Sequence, residues 1–333
     1  MINKNSLLNK PFLLKPAGKN YLWGGDRLNY DFSKNIDMSP LAETWECSTH
    51  PDGPSIVASG EHEGKSLIDV LKEHPEYLGE HPKTDGELPI LIKFIDAKKD
   101  LSVQVHPDDD YAMKNEGGQM GKTEVWYVLD AAEDAQLVYG LKHDADIEDF
   151  KKSIYEGTFE KFLQTVKVKK DDLFFIEAGT IHAIGAGTLI AEIQENSNLT
   201  YRLYDYNRRD KDGNLRELHV DKALAVADLT AAKEPTQPLR VLRYRPGCAT
   251  ELLSRCRYFE LHRMIINTER CRQLVGYQAD ISGFRVLLCI EGCGCINFEN
   301  ESISFFKGDC IFVPADSVKL KIHGKAQFLD VRG

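Results

Sequence analysis

"DDLFFIEAGTIHAI" (171–184) aligns without gaps with "GDCIFVPADSVKLK" (308–321). Each holds a short apolar run, 173–176 in the first and 310–313 in the second. A comparable strand-like run precedes each: "EVWYVLD" from Glu124 and "RVLLCIE" from Arg285. One β-barrel plan used twice accounts for both pairs. The two copies differ at a position that bears on chemistry, because His182 of the first corresponds to Lys319 of the second. If the first copy binds a metal through that histidine, the second lacks the ligand.

The rest of the chain fits such a plan. Short β-rich runs dominate, among them "PILIKFI", "LSVQVH", "QLVYGL", "TLIAEIQE", "FRVLLCIEG" and "AQFLDVRG", with Gly, Asp and Asn between them. Three segments instead carry helical spacing. Leu67, Val70 and Leu71 form a stripe ending at Pro75. Ile147, Phe150 and Ile154 form another, with Asp146 as its cap, and Val220, Ala223, Leu224 and Ala227 form a third. Many short strands and few helices predict a mainly β chain of barrel or sandwich units with helical excursions. "KEPTQPLRVLRYRPG" (233–247) is polar and Pro-rich and reads as a linker. It divides the chain into residues 1–234 and 235–333.

With 333 residues, 42% of them hydrophobic, the chain can bury a sizeable core. Its net charge of −10 argues against a general nucleic-acid or anionic-membrane binder. An anionic ligand would need a local basic pocket set against that field. The start, "MINKNSLLNKPFLLKP", shows neither a long apolar core nor a small-residue cleavage site, and no apolar run approaches membrane-span length. A cytoplasmic protein is expected. Seven of the eight cysteines follow residue 247 and none forms a C-x-x-C pair, which favours free thiols over a disulfide framework. Cys289, Cys293, Cys295 and Cys310 read better as strand residues around a Gly-rich hairpin than as a zinc site.

"LSVQVHPDDDYA" (101–112) puts Ser102, Gln104 and His106 on one face of a strand, since side chains two apart point the same way. Glu124 opens the next strand beside Lys122, and His182 follows "EAGT". Two imidazoles, a carboxylate and an amide oxygen suit a divalent cation with an open position for substrate. Polar groups entering apolar strands from three segments are hard to explain as packing, because burying them unpaired is costly. The aspartates of "PDDDYA" read as solvated turn residues. "GGQMGKT" (117–123) lacks the first glycine of a phosphate-binding loop, and "GAGTL" (185–189) lacks the third glycine of a dinucleotide fingerprint.

These blocks resemble the type I phosphomannose isomerases, zinc enzymes of the cupin superfamily, in their short bacterial form. The resemblance runs through "YLWGG", "ETWECSTHPDG", "LPILIKFIDAKKDLSVQVHPDD", "GKTEVWYVLD", "EAGTIHAIGAGTLIAEIQENSNLTYRLYDYNR" and "GDCIFVPA". It implies two cupin-like jelly-roll units, a catalytic one over 1–234 and one without metal ligands over 235–333. It also implies one zinc ion per chain, held by Gln104, His106, Glu124 and His182. The family's catalytic arginine falls on Arg202. Ser102, Lys93, Lys122 and Glu192 match polar positions of the family's pocket. Asn198 stands where the long form usually has an aspartate.

The implied reaction interconverts D-mannose 6-phosphate and D-fructose 6-phosphate through a cis-enediol. Arg202 would stabilise the enediolate. His106, Lys122, Glu192 or a metal-ordered water would carry the proton. Lys122, Arg202, Arg208 and Lys93, with Ser102, are the groups able to hold the phosphate. The partner is a small sugar phosphate, and either a monomer or a homodimer is compatible. Two rivals stand beside this reading. His106, Glu124 and His182 alone also make the two-His-one-carboxylate set of non-haem iron oxygenases. A sugar-phosphate sensor without turnover would use the same pocket.

Overall fold

The computed structural model describes residues 9–80, 85–209, 212–271 and 273–333. The first eight residues, read above for an export signal, lie outside it. The chain is mainly β, as expected, and its described strands form three sheets of antiparallel pairs.

Two of the sheets are built before residue 205. A six-stranded sheet runs in the order Leu173–Ile176, Glu124–Ala131, Thr188–Glu195, Ile90–Ala97, Glu43–Cys47, Ala17–Lys19. A five-stranded sheet runs Tyr201–Tyr204, Val103–Val105, His182–Ile184, Gln136–Leu141, Leu163–Lys167. Ile95, Trp126, Val128 and Ile190 of the first pack with Leu137 and Ile184 of the second in one apolar cluster. Ile90–Ala97 and Thr188–Glu195 are buried at every position, as central strands covered on both faces must be.

The third sheet has ten strands and holds the C-terminal part of the chain. Its main path runs from Arg243–Arg245 through Leu320–Arg332 and Arg285–Phe298 to Cys310–Val313. It then takes in Phe12–Lys15 and Ile56–Val57 from the other end of the sequence. Phe12 stacks on Phe312 at 5.3 Å, and the largest described apolar cluster draws residues from both ends of the chain.

Register makes the internal repeat concrete. Ile176 pairs with Glu124 where the first copy begins, and Val313 pairs with Arg285 where the second begins. Arg285 therefore stands in the second copy where Glu124 stands in the first. Lys319 is solvent-exposed, whereas its counterpart His182 is fully buried.

The three expected helices form at Leu67–Glu73, Ile147–Tyr155 and Val220–Val226. Asp146 caps the second by accepting from the Glu148 and Asp149 amides. One expectation fails. "PDDDYA" is no simple turn, for it starts the helix Asp109–Asn115, with the Asp108 side chain accepting from Tyr111 N. The alternation that marks a strand hid the cap signal directly behind it.

Candidate active site

Three strands of the five-stranded sheet carry one polar row. His182 is the direct cross-strand partner of Gln104, and Gln104 that of Arg202. Directly paired residues share a face of the sheet. Ser102 and His106 flank Gln104 two residues away and extend the row along the strand. Arg202 Nε lies 3.3 Å from Ser102 Oγ. The opposing sheet answers with a second row, in which Trp126 pairs with Glu192 and Glu192 with Lys93. Glu124 lies two residues before Trp126, on the same face.

The two rows meet at His106, Glu124 and His182, whose ligand atoms all lie within 4.8 Å of one another. His106 Nε2 is 3.7 Å and His182 Nε2 3.4 Å from the Glu124 carboxylate. The Gln104 amide is 3.4 Å from His182 Nε2. His106 Nδ1 donates to Leu199 O and His182 Nδ1 to Thr180 O, each at 2.8 Å. Those two bonds fix the tautomers and leave both Nε2 lone pairs aimed at the carboxylate, the arrangement a ligand histidine needs. Glu124 is fully buried and neither of its oxygens accepts a hydrogen bond, although Lys122 Nζ stands 2.8 Å from Oε2. Two imidazole nitrogens turned toward a buried carboxylate are donors that suit a divalent metal.

The protein pays for keeping the site charged. Burial, with Glu192 adding, pushes the Glu124 carboxyl up to about 7. Burial lowers both imidazoles, His182 to about 4 and His106 well below its ordinary range. Neutral imidazoles are the ligand-competent form.

Above this cluster opens a cavity of about 360 Å³, lined among others by Lys93, Ser102, Gln104, Lys122, Glu192 and Arg202. Lys93 Nζ lies 3.2 Å from Glu192 Oε1, and Trp126 Nε1 donates to Glu192 Oε2 at 2.9 Å. Burial opposes ionisation of Glu192, but Lys122 and Lys93 outweigh it and hold the carboxyl below its usual range. Burial likewise works against the Lys93 ammonium, and Glu192, Glu43 and Glu124 more than restore it. Burial and the neighbouring Arg216 lower Arg202.

Nine of the ten predicted site residues thus lie in this cavity or at its base, and Arg208 does not. Its guanidinium is tied to the Asp205 carboxylate and the Asp100 carbonyl. Arg216 lines the cavity instead, 3.3 Å from Asp205. Glu43 and Tyr21 line it too. Sequence reading missed Arg216 because it sits in a charged, Gly-containing loop with no strand period. Glu43, at a strand start beside "TWEC", carried the same signal as Glu124. Asn198 also reaches the cavity, and its amide donates to Asp52 Oδ2 at 2.8 Å, so a carboxylate stands near that position after all.

Residues 12–139 match the family model described as phosphomannose isomerase type I, catalytic domain, and residues 249–332 the model for the mannose-6-phosphate isomerase cupin domain. The chain is 35% identical to mannose-6-phosphate isomerase ManA of Bacillus subtilis, over 96% of its own length and 98% of that protein's. It superposes on the crystal structure of a Bacillus subtilis mannose 6-phosphate isomerase with a TM-score of 0.89 at 35% identity, covering 97% of this chain and 99% of the other. A zinc-bound mannose 6-phosphate isomerase structure shares the fold, with a TM-score of 0.76 at 16% identity over 98% of this chain and all of the other.

Proposed function

The chain belongs to the type I phosphomannose isomerase family, and from that premise we infer that its cavity interconverts D-mannose 6-phosphate and D-fructose 6-phosphate. One observation carries the reading. A protein with a net charge of −10 sets Lys93, Lys122, Arg202 and Arg216 around a single cavity whose base is an oriented His–Glu–His set. Such a cavity suits an anionic substrate with a carbonyl to polarise.

Gln104, His106, Glu124 and His182 would hold one zinc ion, which supplies Lewis-acid polarisation of the substrate's carbonyl when bound. Arg202 and Arg216, with Ser102, hold the phosphate and the developing enediolate charge by charge-assisted hydrogen bonds. Glu192 is the ionised carboxylate on the wall, and its Oε1 takes the proton from one carbon and returns it to the next. Trp126 fixes the other oxygen. Lys93, beside Oε1, keeps that carboxylate anionic between turnovers. Lys122 balances Glu124 at the cavity base.

We place these functions in residues 1–234, with 235–333 as a second unit that carries no metal. The substrate is a soluble metabolite. Among the described residues no helix is long and apolar enough to cross a membrane. The non-haem oxygenase reading fits less well, since Gln104 adds a fourth donor and the cations have no role in it.

A coupled assay following fructose 6-phosphate, with metal content measured on the same sample, tests the proposal. Metal-loaded protein that turns over no mannose 6-phosphate would refute it, and oxygen consumption would point to the rival.

A further inference from the structure

Lys122 is placed by a loop, not by a strand. It reaches Glu124 Oε2 at 2.8 Å and His106 Nε2 at 3.3 Å from just ahead of Glu124–Ala131. Three consecutive backbone N–H groups fix that loop. Gly121 N donates to Asp109 Oδ1 at 2.9 Å, Lys122 N to Pro107 O at 2.9 Å, and Thr123 N to Glu195 Oε1 at 2.7 Å. The loop lies so close to the helix start that a Cβ on Gly121 would come within 2.4 Å of the Asp108 carbonyl carbon.

The two acids that grip the loop also face each other. Glu195 is 1% exposed, and its second oxygen, Oε2, accepts no hydrogen bond. Asp109 Oδ2 accepts from Tyr258 OH at 2.8 Å and lies 3.9 Å from Arg257. Asp109 is partly exposed, but Glu195 is buried, and a buried carboxyl beside a second one does not ionise readily. A proton on Glu195 Oε2 would satisfy that atom and join it to Asp109. We propose that Asp109 and Glu195 share one proton and act together as a positioning clasp on the loop that carries Lys122. The proposal rests on Lys122 working in the cavity as read above.

Burial, then the charge of Asp109, pushes the Glu195 carboxyl up to about 8. Burial works the same way on Asp109, but the Gly121 amide and Tyr258 outweigh it and keep that carboxyl low. The proton therefore resides on Glu195. The other groups facing the pair are Arg257, Tyr258 and Cys256, all from the segment ahead of Glu260–Asn267. Burial raises Tyr258 and Cys256, so neither gives up its proton before Glu195 does. Above about pH 8 the clasp carries two negative charges and loosens.

The test compares wild type, Glu195→Gln and Glu195→Ala as metal-loaded enzymes, with turnover measured from pH 6 to 9.5 and metal content at each pH. A single ionisation near 8 cuts wild-type kcat about tenfold between pH 7 and 9. The substrate phosphate, whose second ionisation lies near 6, is constant over that range. Glu195→Gln puts an amide N–H where the shared proton was, so its turnover at pH 9 should match its turnover at pH 7. Glu195→Ala should lose turnover at every pH while keeping its metal. An alkaline fall in Glu195→Gln like that of wild type would overturn the clasp, as would a Glu195→Ala profile equal to wild type.

Thermal melting gives a readout independent of catalysis. The folded chain keeps the Glu195 proton up to about pH 8, whereas the unfolded chain releases it near 4.5. Wild-type stability should therefore fall relative to Glu195→Gln as pH rises through that window, and level off above it. That slope in a protein without isomerase activity would sink the functional reading and leave the clasp standing. Absence of the slope overturns the clasp whatever the activity.

Discussion

Arg202→Ala separates the two duties a cavity arginine can have. Its guanidinium is held by Ser102 Oγ at 3.3 Å and by Glu217 O at 2.8 Å. Neither partner belongs to the His–Glu–His set, so the substitution should leave metal content unchanged. A unit charge about 4–5 Å from a developing enediolate, at an effective dielectric near 20, is worth ~3–4 kcal/mol. That corresponds to roughly a hundred- to thousandfold in rate, the size usually found when a preorganised charge stabiliser is removed. If Arg202 acts on the transition state, kcat falls by that factor and KM moves less. If it only anchors the phosphate, KM rises and kcat stays near wild type. Steady-state kinetics and metal analysis on the same preparations decide. A mutant with wild-type kcat at saturating substrate would defeat the catalytic assignment, and loss of metal would show that the arginine supports the cluster.

Four further outcomes follow from the same geometry. His182→Ala should lower metal content and activity together, and full metal occupancy with normal turnover would remove His182 from the ligand set. Metal titration of the wild type should give one ion per chain; a second tight ion that survives His182→Ala would point to the cysteine hairpin. Arg216→Ala should raise KM at least tenfold while Arg208→Ala changes it less, since only Arg216 lines the cavity, and steady-state kinetics showing the reverse order would put the phosphate outside it. Gly25→Ala should cost about 1–3 kcal/mol, because its Cβ would lie 2.2 Å from the buried Asp96 carboxylate that holds Arg27; an unchanged denaturation midpoint would refute that packing argument.

What could be read from the sequence was whatever has a short period. Ser102, Gln104 and His106 declared a shared strand face by alternation alone, and His182 and Glu124 stood out as polar residues at the ends of apolar runs. Cross-strand register has no such local signature. That His182, Gln104 and Arg202 form one row depends on which strands pair. The motif "YRLYDYNR" gave Arg202 as the catalytic arginine and Arg208 as a group able to hold the phosphate, but not that the fold turns Arg208 toward Asp205. Arg216 and the Asp109–Glu195 contact belong to loops that only tertiary packing brings to the site. The same holds for the N-terminal strand Phe12–Lys15, whose partner Cys310–Val313 lies at the far end of the chain and which carries Ile56–Val57 on its other edge.

The second copy of the repeat differs from the first at two positions that bear on a metal site. His182 gives way to Lys319, and register places Arg285 where Glu124 stands. The lysine faces solvent, so its effect is to leave an imidazole out. The arginine is the stronger change. It puts a permanent positive charge at the carboxylate position, and its partner Asp280 lies 3.5 Å away. The C-terminal part of the chain also makes contact near the cavity. Its Tyr258 hydroxyl bonds Asp109, which holds the Gly121 amide beside Lys122. A chain of three hydrogen-bonded groups thus connects the C-terminal part of the chain to the loop at the base of the cavity.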